Sequence, residues 1–368
     1  MRRPWGPAWE LGLFCYHIAR IDLSSLYEWG SLDMAKNKLV APVVKWVGGK
    51  RQLLDEITPL LPKRITSYCE PFFGGGAVLF SIQPSKAIVN DLNADLIALY
   101  EIIRDDVESL ITDLKKHENT AEYFYAIRDL DRDKASYQAL SKVERASRLI
   151  YLNKTCFNGL FRVNSSGEFN SPFGNYKNPS IVNEPVLRAV SNYFSSGKIT
   201  FCNEDFAMTL SRVGKGGFVY LDPPYDPVSY TSSFTGYNKC GFDRNDQIRL
   251  KQCCDDLTQR GIKFMLSNSA TDFIKELYKD YNISIVHAKR AINSKASKRG
   301  AIAEVLIRNY GAEWYRWGSS ICCNIHLRRA YVSYHHHNIS SAEIPVFRQG
   351  RKRTPFWLKL VANACLRN

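Results

Sequence analysis

Between residues 39 and 310 two hydrophobic rhythms alternate along the chain. Short, nearly continuous apolar runs fall at 66–70, 86–90, 198–202, 217–221, 262–266, 283–286 and 303–307. Such runs predict strands covered on both faces, because a covered sheet asks every side chain to be apolar. The stretches between them repeat their apolar positions every three or four residues, the spacing of one helical face. Residues 243–260 are an example, with Leu250, Cys253, Cys254 and Leu257 on one side and Gly261 as the stop. From 92 to about 157 the strand signal disappears and helical signals persist, among them a capping box at Ser141-Lys-Val-Glu144. The pattern predicts an α/β fold, a parallel sheet interrupted once by a mainly helical insertion and completed after it.

The flanks lack either rhythm. Residues 1–33 and 311–368 are rich in Trp, Arg, His and Cys and read as appended segments; Met34-Ala35-Lys36-Asn37-Lys38 has the texture of a natural start. The expected organisation is a catalytic domain at 34–91 and 189–310, an inserted domain at 92–188, and a basic tail at 311–368.

Charge narrows the partner. The chain has 50 Lys and Arg against 36 Asp and Glu, a net charge of +14, which favours a polyanion. The excess is local: residues 141–188 carry seven basic and three acidic side chains, and 284–300 carries Lys289, Arg290, Lys295, Lys298 and Arg299 with no acid. The 45% hydrophobic composition is that of a globular protein, and no apolar stretch reaches the roughly 18 residues of a membrane span, so a cytoplasmic location follows by default. The ten cysteines form no CxxC pair and read as reduced core thiols, and the adjacent His335, His336 and His337 cannot all face one ion, so no metal site is expected.

Three strings carry chemistry. The run at 217–221 ends abruptly in Asp222-Pro223-Pro224-Tyr225. Two prolines cannot continue a central strand, so the acid and the ring stand at its carboxyl end, where open α/β sheets bind ligands. An exocyclic amine on a nucleobase is a poor nucleophile until acceptors hold its N–H bonds. Asp222 supplies one acceptor, the Pro223 carbonyl a second, and Tyr225 a face for a base lifted from its stack. The second string, Cys69-Glu-Pro-Phe-Phe-Gly-Gly-Gly-Ala77, is a glycine turn between strand and helix that lets a ligand approach the backbone. Asp91 follows at the end of the next strand, where a ribose hydroxyl is commonly gripped. The third, Lys45-Trp-Val-Gly-Gly-Lys50, lacks the spacing of a triphosphate loop. Trp46 suits packing against an adenosyl group and Lys50 suits a carboxylate.

KWVGGK at 45–50, EPFFGGG at 70–76, ND at 90–91 and DPPY at 222–225, in this order, resemble a Dam-type DNA adenine methyltransferase of the alpha group, such as those of GATC restriction-modification systems. The resemblance implies a Rossmann-like sheet with S-adenosylmethionine as the donor, held by Trp46, Lys50, Phe72, Gly74, Gly76, Asp91 and Asp222, with Asp205 near its adenine. It implies double-stranded DNA as partner and base flipping, with a cognate endonuclease acting separately and no stable complex. It also makes Phe157-Asn-Gly-Leu-Phe-Arg162 and the continuation to Ser171-Pro-Phe-Gly174 the target-reading segment. Arg162 suits a guanine's two acceptors, Asn158 either pairs with an adenine edge or fills the gap left by a flipped base, and Phe157 suits a wedge. Leu160 and Pro172 flank them, Lys45 touches a base or phosphate, and Lys298 and Arg299 contact phosphates. Glu204 departs from the glycine common beside Asp205. A catalytically silent DNA-binding relative is the alternative, and it would have lost DPPY or the glycine turn; both are intact.

Overall fold

The computed structural model describes residues 36–228, 242–289 and 301–311. Seven strands form one sheet: β1 Tyr68–Glu70, β2 Lys86–Asn90, β3 Lys198–Cys202, β4 Phe218–Leu221, β5 Lys263–Ser269, β6 Asn282–Lys289 and β7 Ala301–Arg308. Their order is β3-β2-β1-β4-β5-β7-β6, with β1 to β5 parallel and β7 antiparallel to both of its neighbours. The chain winds outward from β1 to β3 and then restarts at β4 on the other side of β1. The carboxyl ends of β1 and β4 therefore flank the point where the winding reverses.

Alternation within the strands divides the core. Phe218 and Tyr220 join Tyr68, Val89, Met265 and Leu306 on one face, while Val219 and Leu221 join Cys69, Phe264, Leu266 and Ile307 on the other. The first face is covered by α1 (Leu54–Ile57), α2 (Ala77–Ile82), α3 (Ala94–Asp105) and α4 (Val107–Leu114). Within the insertion follow α5 (Ala121–Asp129), α6 (Lys134–Ala139) and α7 (Lys142–Thr155), and α8 (Glu184–Ser196) returns to the first face. The second face is covered by α9 (Phe206–Ser211), α10 (Arg244–Gln259) and α11 (Asp272–Leu277).

Local sequence sets these boundaries. The Ser141–Glu144 capping box starts α7, and a second, Asp243 with Asp246, starts α10, whose C-cap Arg260 precedes Gly261 in the left-handed region at φ 70°. β5, β6 and β7 run longer than their apolar runs. Antiparallel pairing of β7 with β5 and β6 recruits polar residues such as Ser269, Asn282 and Glu304 into the ladder.

Between β2 and β3 the described chain has no strand, only isolated bridges joining Cys156 to Phe173 and Val163 to Phe169. Phe124, Tyr151, Leu152, Cys156 and Phe169 form a separate small core there. The sheet's own core continues across residues 92 and 188, since Leu96, Leu99, Tyr100, Leu149, Ile150 and Leu187 belong to it. Buried Asp131 ties α7 to the bridged segment, pairing with Arg148 at 2.9 Å and accepting from Phe169 N–H at 2.8 Å. The described cysteines, Cys69, Cys156, Cys202, Cys253 and Cys254, are all unbridged.

Candidate active site and DNA interface

Asp222 leaves β4 with a 17% exposed side chain. Its Oδ1 receives Lys50 Nζ at 2.7 Å and Ser267 Oγ at 2.9 Å, while Oδ2 has no partner among the described residues. Burial raises the Asp222 pKa, opposed by Lys50 and by the Ser267 hydroxyl. Lys50 is 6% exposed; it also donates to the Gly48 carbonyl at 2.5 Å and lies 4.7 Å from the Tyr225 ring centre. The structure thus pairs Lys50 with Asp222, a partner that the sequence reading did not name.

The rest of the DPPY turn is anchored from outside. Gln247 Nε2 donates to the Pro224 carbonyl at 2.8 Å, Asn268 accepts from Asp226 N–H at 3.1 Å, and Tyr225 donates to Glu304 Oε2 at 2.7 Å. The Pro223 carbonyl, in the residue that follows Asp222, likewise has no hydrogen-bond partner among the described residues. Ser267, Gln247, Asn268 and Glu304 escaped the sequence reading because each reaches the turn from a distant element.

Glu70 also escaped it. Its carboxyl is buried at the end of β1, accepts from Tyr68 Oη at 2.7 Å and is pushed up to about 8, chiefly by burial. Asp222 adds to that rise, and Lys50 opposes it.

The glycine turn is built for close approach. Gly74 and Gly76 adopt φ 49° and 66°, and a Cβ on Gly74 would stand 2.9 Å from Trp46 Cδ1. Asp91 accepts from Gly74 N–H at 2.8 Å and from Asn93 N–H at 2.9 Å, and burial raises its pKa. Asn90, 1% exposed, braces the strand ends, donating to the Pro71 and Glu204 carbonyls at 3.0 Å each and accepting from Glu204 N–H at 2.9 Å. Lys50, Trp46, Gly74, Gly76, Asp91 and Asp222 are thus gathered at adjacent strand ends.

Two further residues expected to contact the donor have close partners within the chain. Phe72 packs with Phe206 and Phe242, ring centres 5.4 and 5.7 Å away, in an aromatic group at the second core. Asp205 caps α9 and holds Arg249 through bonds of 2.9 Å to both its oxygens, and Arg249 lies 4.2 Å from the Phe206 ring centre. Any ligand reaching Asp205 thus also meets Arg249. The Glu204 side chain turns to Thr209 and Arg212, which accounts for an acid in place of glycine there.

In the segment 157–174, Phe157 is 56% exposed and its N–H is fixed to the Pro172 carbonyl at 2.8 Å. Asn158 is left-handed at φ 60°, and its N–H donates to the Tyr176 hydroxyl at 2.9 Å. Leu160 is half-buried, Pro172 exposed, and exposed Arg162 donates to the Asn170 side chain at 2.7 Å and main-chain carbonyl at 3.2 Å. A guanidinium has five N–H groups, so Arg162 keeps donors for a base edge. Lys45 Nζ donates to the Asn158 carbonyl at 2.5 Å, which joins it to this segment. Lys298 and Arg299 lie outside the described residues, as do His335 to His337 and both appended segments. Among the described residues no group of three metal-ligating side chains is placed to hold an ion, and no helix is long and apolar enough to cross a membrane.

Residues 46–292 match the family profile of D12 class N6 adenine-specific DNA methyltransferases. The chain is 44% identical over 281 residues to the Type II methyltransferase M1.LlaDCHI of Lactococcus lactis subsp. cremoris, covering 76% of this chain and 99% of the relative. It is 45% identical over 291 residues to the Type II methyltransferase M.MjaIII of Methanocaldococcus jannaschii, covering 74% and 99%. It is 33% identical over 277 residues to the DNA adenine methylase of Escherichia coli strain K12, covering 74% and 95%.

Proposed function

The chain belongs to the D12 class of N6 adenine-specific DNA methyltransferases and methylates adenine in DNA; we propose that its donor is S-adenosylmethionine, its target GATC in duplex DNA, and its route base flipping. The observation that carries this reading is the open pair of acceptors at the end of β4, Asp222 Oδ2 and the Pro223 carbonyl, beside a ring pinned by Glu304.

The residues present fit such a donor. The turn at Gly74 and Gly76 has no side chain of its own and packs closely on Trp46 and Phe73, and half-buried Asp91 holds the Gly74 N–H beside it. Half-buried Phe72, backed by buried Phe206, offers aromatic surface near the next strand end, and Trp46 packs on the glycine turn. When bound, S-adenosylmethionine supplies an electrophilic methyl group on a sulfonium.

The chain's own residues do the rest. Asp222 Oδ2 and the Pro223 carbonyl accept the two N–H bonds of the adenine amine, drawing its lone pair out of conjugation. Lys50 and Ser267 hold Oδ1, which fixes the carboxylate and favours its ionised form against the cost of burial. The Tyr225 ring gives the flipped base a stacking face, and Glu304 fixes its tilt. Arg162, Asn158, Leu160 and Pro172 read the target, Phe157 wedges the duplex, and Lys45, Lys298 and Arg299 contact its base edges or phosphates. A cytoplasmic enzyme of a restriction-modification system, with a separate cognate endonuclease, suits this chemistry.

The test is to express the full chain in cells lacking adenine methylation and to map modified bases in their DNA. N6-methyladenine confined to GATC, and absent with Asp222→Ala, is expected. Modification of another base, or an unchanged pattern with Asp222→Ala, would overturn the reading.

A further inference from the structure

One buried side chain stitches the loop that carries Trp46 and Lys50 to the segment that faces DNA. Asn153, 2% exposed in the last turn of α7, accepts from Lys45 N–H at 2.8 Å and donates to the Lys45 carbonyl at 2.8 Å. The same Nδ2 donates to the Gly159 carbonyl at 3.3 Å. Its amide thus bonds residue 45 as a neighbouring strand would and also grips the left-handed turn at Asn158 and Gly159, φ 60° and 62°. The next residue continues the link. Trp46 stacks on Phe161 at 4.8 Å between ring centres and 23° between planes, and its other neighbour is the glycine turn at Gly74. A Cβ on Gly159 would stand 3.0 Å from Lys45 Cδ, so the two loops touch without slack.

These contacts form one continuous path from Asn158 and Phe161 through Lys45 and Trp46 to Gly74. A shift of the DNA-facing segment therefore displaces the wall of the donor site, and the reverse holds equally. We propose that Asn153 is a positioning residue through which target reading and donor binding are coupled, an inference that rests on the donor and DNA assignments made above. The residue type fits the task. An amide alone among side chains of this size supplies an acceptor and two donors at once, so aspartate would lose both donors and leucine would leave the Lys45 N–H and carbonyl unpaired.

The test titrates S-adenosylhomocysteine, which cannot react, into the full chain alone, with a GATC duplex, and with a duplex in which the guanine is changed. Coupling is the ratio of donor-site affinities with the two duplexes, expected to be roughly 5-fold or more in the unmodified protein. With Asn153→Ala the ratio falls to near one, while affinity in the absence of DNA changes by less than about 3-fold, an effect that a merely structural role would not confine to the ratio. Phe161→Leu removes the stack without touching the buried amide and lowers the ratio too, so it carries the test if Asn153→Ala does not fold. Equal affinities with the two duplexes in the unmodified protein, or an unchanged ratio in a folded variant, would overturn the coupling. Failure of the unmodified protein to bind S-adenosylhomocysteine at all overturns the donor assignment and the coupling together, which separates that result from the others.

Discussion

Replacing Lys50 by methionine tests the electrostatic design of the site. Lys50 Nζ stands 2.7 Å from Asp222 Oδ1, with the two side chains 6% and 17% exposed. At an effective dielectric constant of about 20 the gross attraction at this range is about 6 kcal/mol, and breaking a buried pair by removing one partner typically costs about 3 to 5 kcal/mol. Because Asp222 keeps some contact with solvent, about 3 kcal/mol is the expected loss, and the Asp222 pKa rises further once the cation that opposes its rise is gone. At about 2.1 cal/mol/K of unfolding entropy per residue, that corresponds in a protein of this size to a fall of about 4 to 5 °C in Tm.

The pH dependence has opposite signs for stability and for activity. Burial already raises Asp222 above its unfolded value, and Lys50 opposes the rise. Without Lys50 the folded state keeps the proton to higher pH than the unfolded state does. Stability of Lys50→Met therefore falls as pH rises from the ordinary carboxylate range through the new folded value. Methyl transfer needs the ionised carboxylate, so its rate in the variant climbs over the same window. Thermal melts and single-turnover methylation across pH would show the two trends crossing. Lys50→Met with Asp222→Asn should recover much of the lost Tm, since no charge is left unpaired. Equal melting of the single and double variants would refute the argument that a buried, uncompensated carboxylate is the source of the loss.

Three further outcomes are expected. Gly74→Ala forces a Cβ to 2.9 Å from Trp46 Cδ1 at φ 49° and so should weaken S-adenosylhomocysteine binding about 10-fold, for about 1.4 kcal/mol of strain, with duplex binding little changed; calorimetry on both ligands checks this. Arg162→Ala should narrow the rate difference between GATC and its guanine-substituted variant by about 1 to 3 kcal/mol, and a common drop on both duplexes would make Arg162 a backbone contact only. Glu70, pushed up to about 8 by burial, holds its proton in the folded state and loses stability as pH rises from the ordinary glutamate range towards that value. Glu70→Gln should therefore melt progressively higher than the unmodified protein as pH rises to 8, with no gain near pH 4.

What could be read from the sequence follows from how far each feature reaches. Strand runs, capping boxes and the proline stop after Asp222 are imposed by neighbours in the chain, so β2 and β3 fall where the apolar pattern put them. The glycine turn was legible for the same reason, because only backbone freedom explains three adjacent glycines. The supports of the site were not legible. Asn153 meets Lys45 across 108 residues and Tyr225 meets Glu304 across 79, and no local pattern marks an asparagine or glutamate that will be used so far away. The Asp205–Arg249 pair, 44 residues apart, is hidden in the same way and changes what surrounds a residue chosen by its position in a motif.

The unbridged thiols give the molecule internal clocks. Cys69 sits in the second core of the sheet and burial pushes its thiol far up. Cys156 sits in the insertion's own small core, pushed up to about 11. Neither is an appreciable thiolate near neutral pH while its layer is closed, so alkylation of each reports the opening of that layer alone. Two cysteines in two cores thus record whether the helical insertion breathes on its own or only when the sheet gives way.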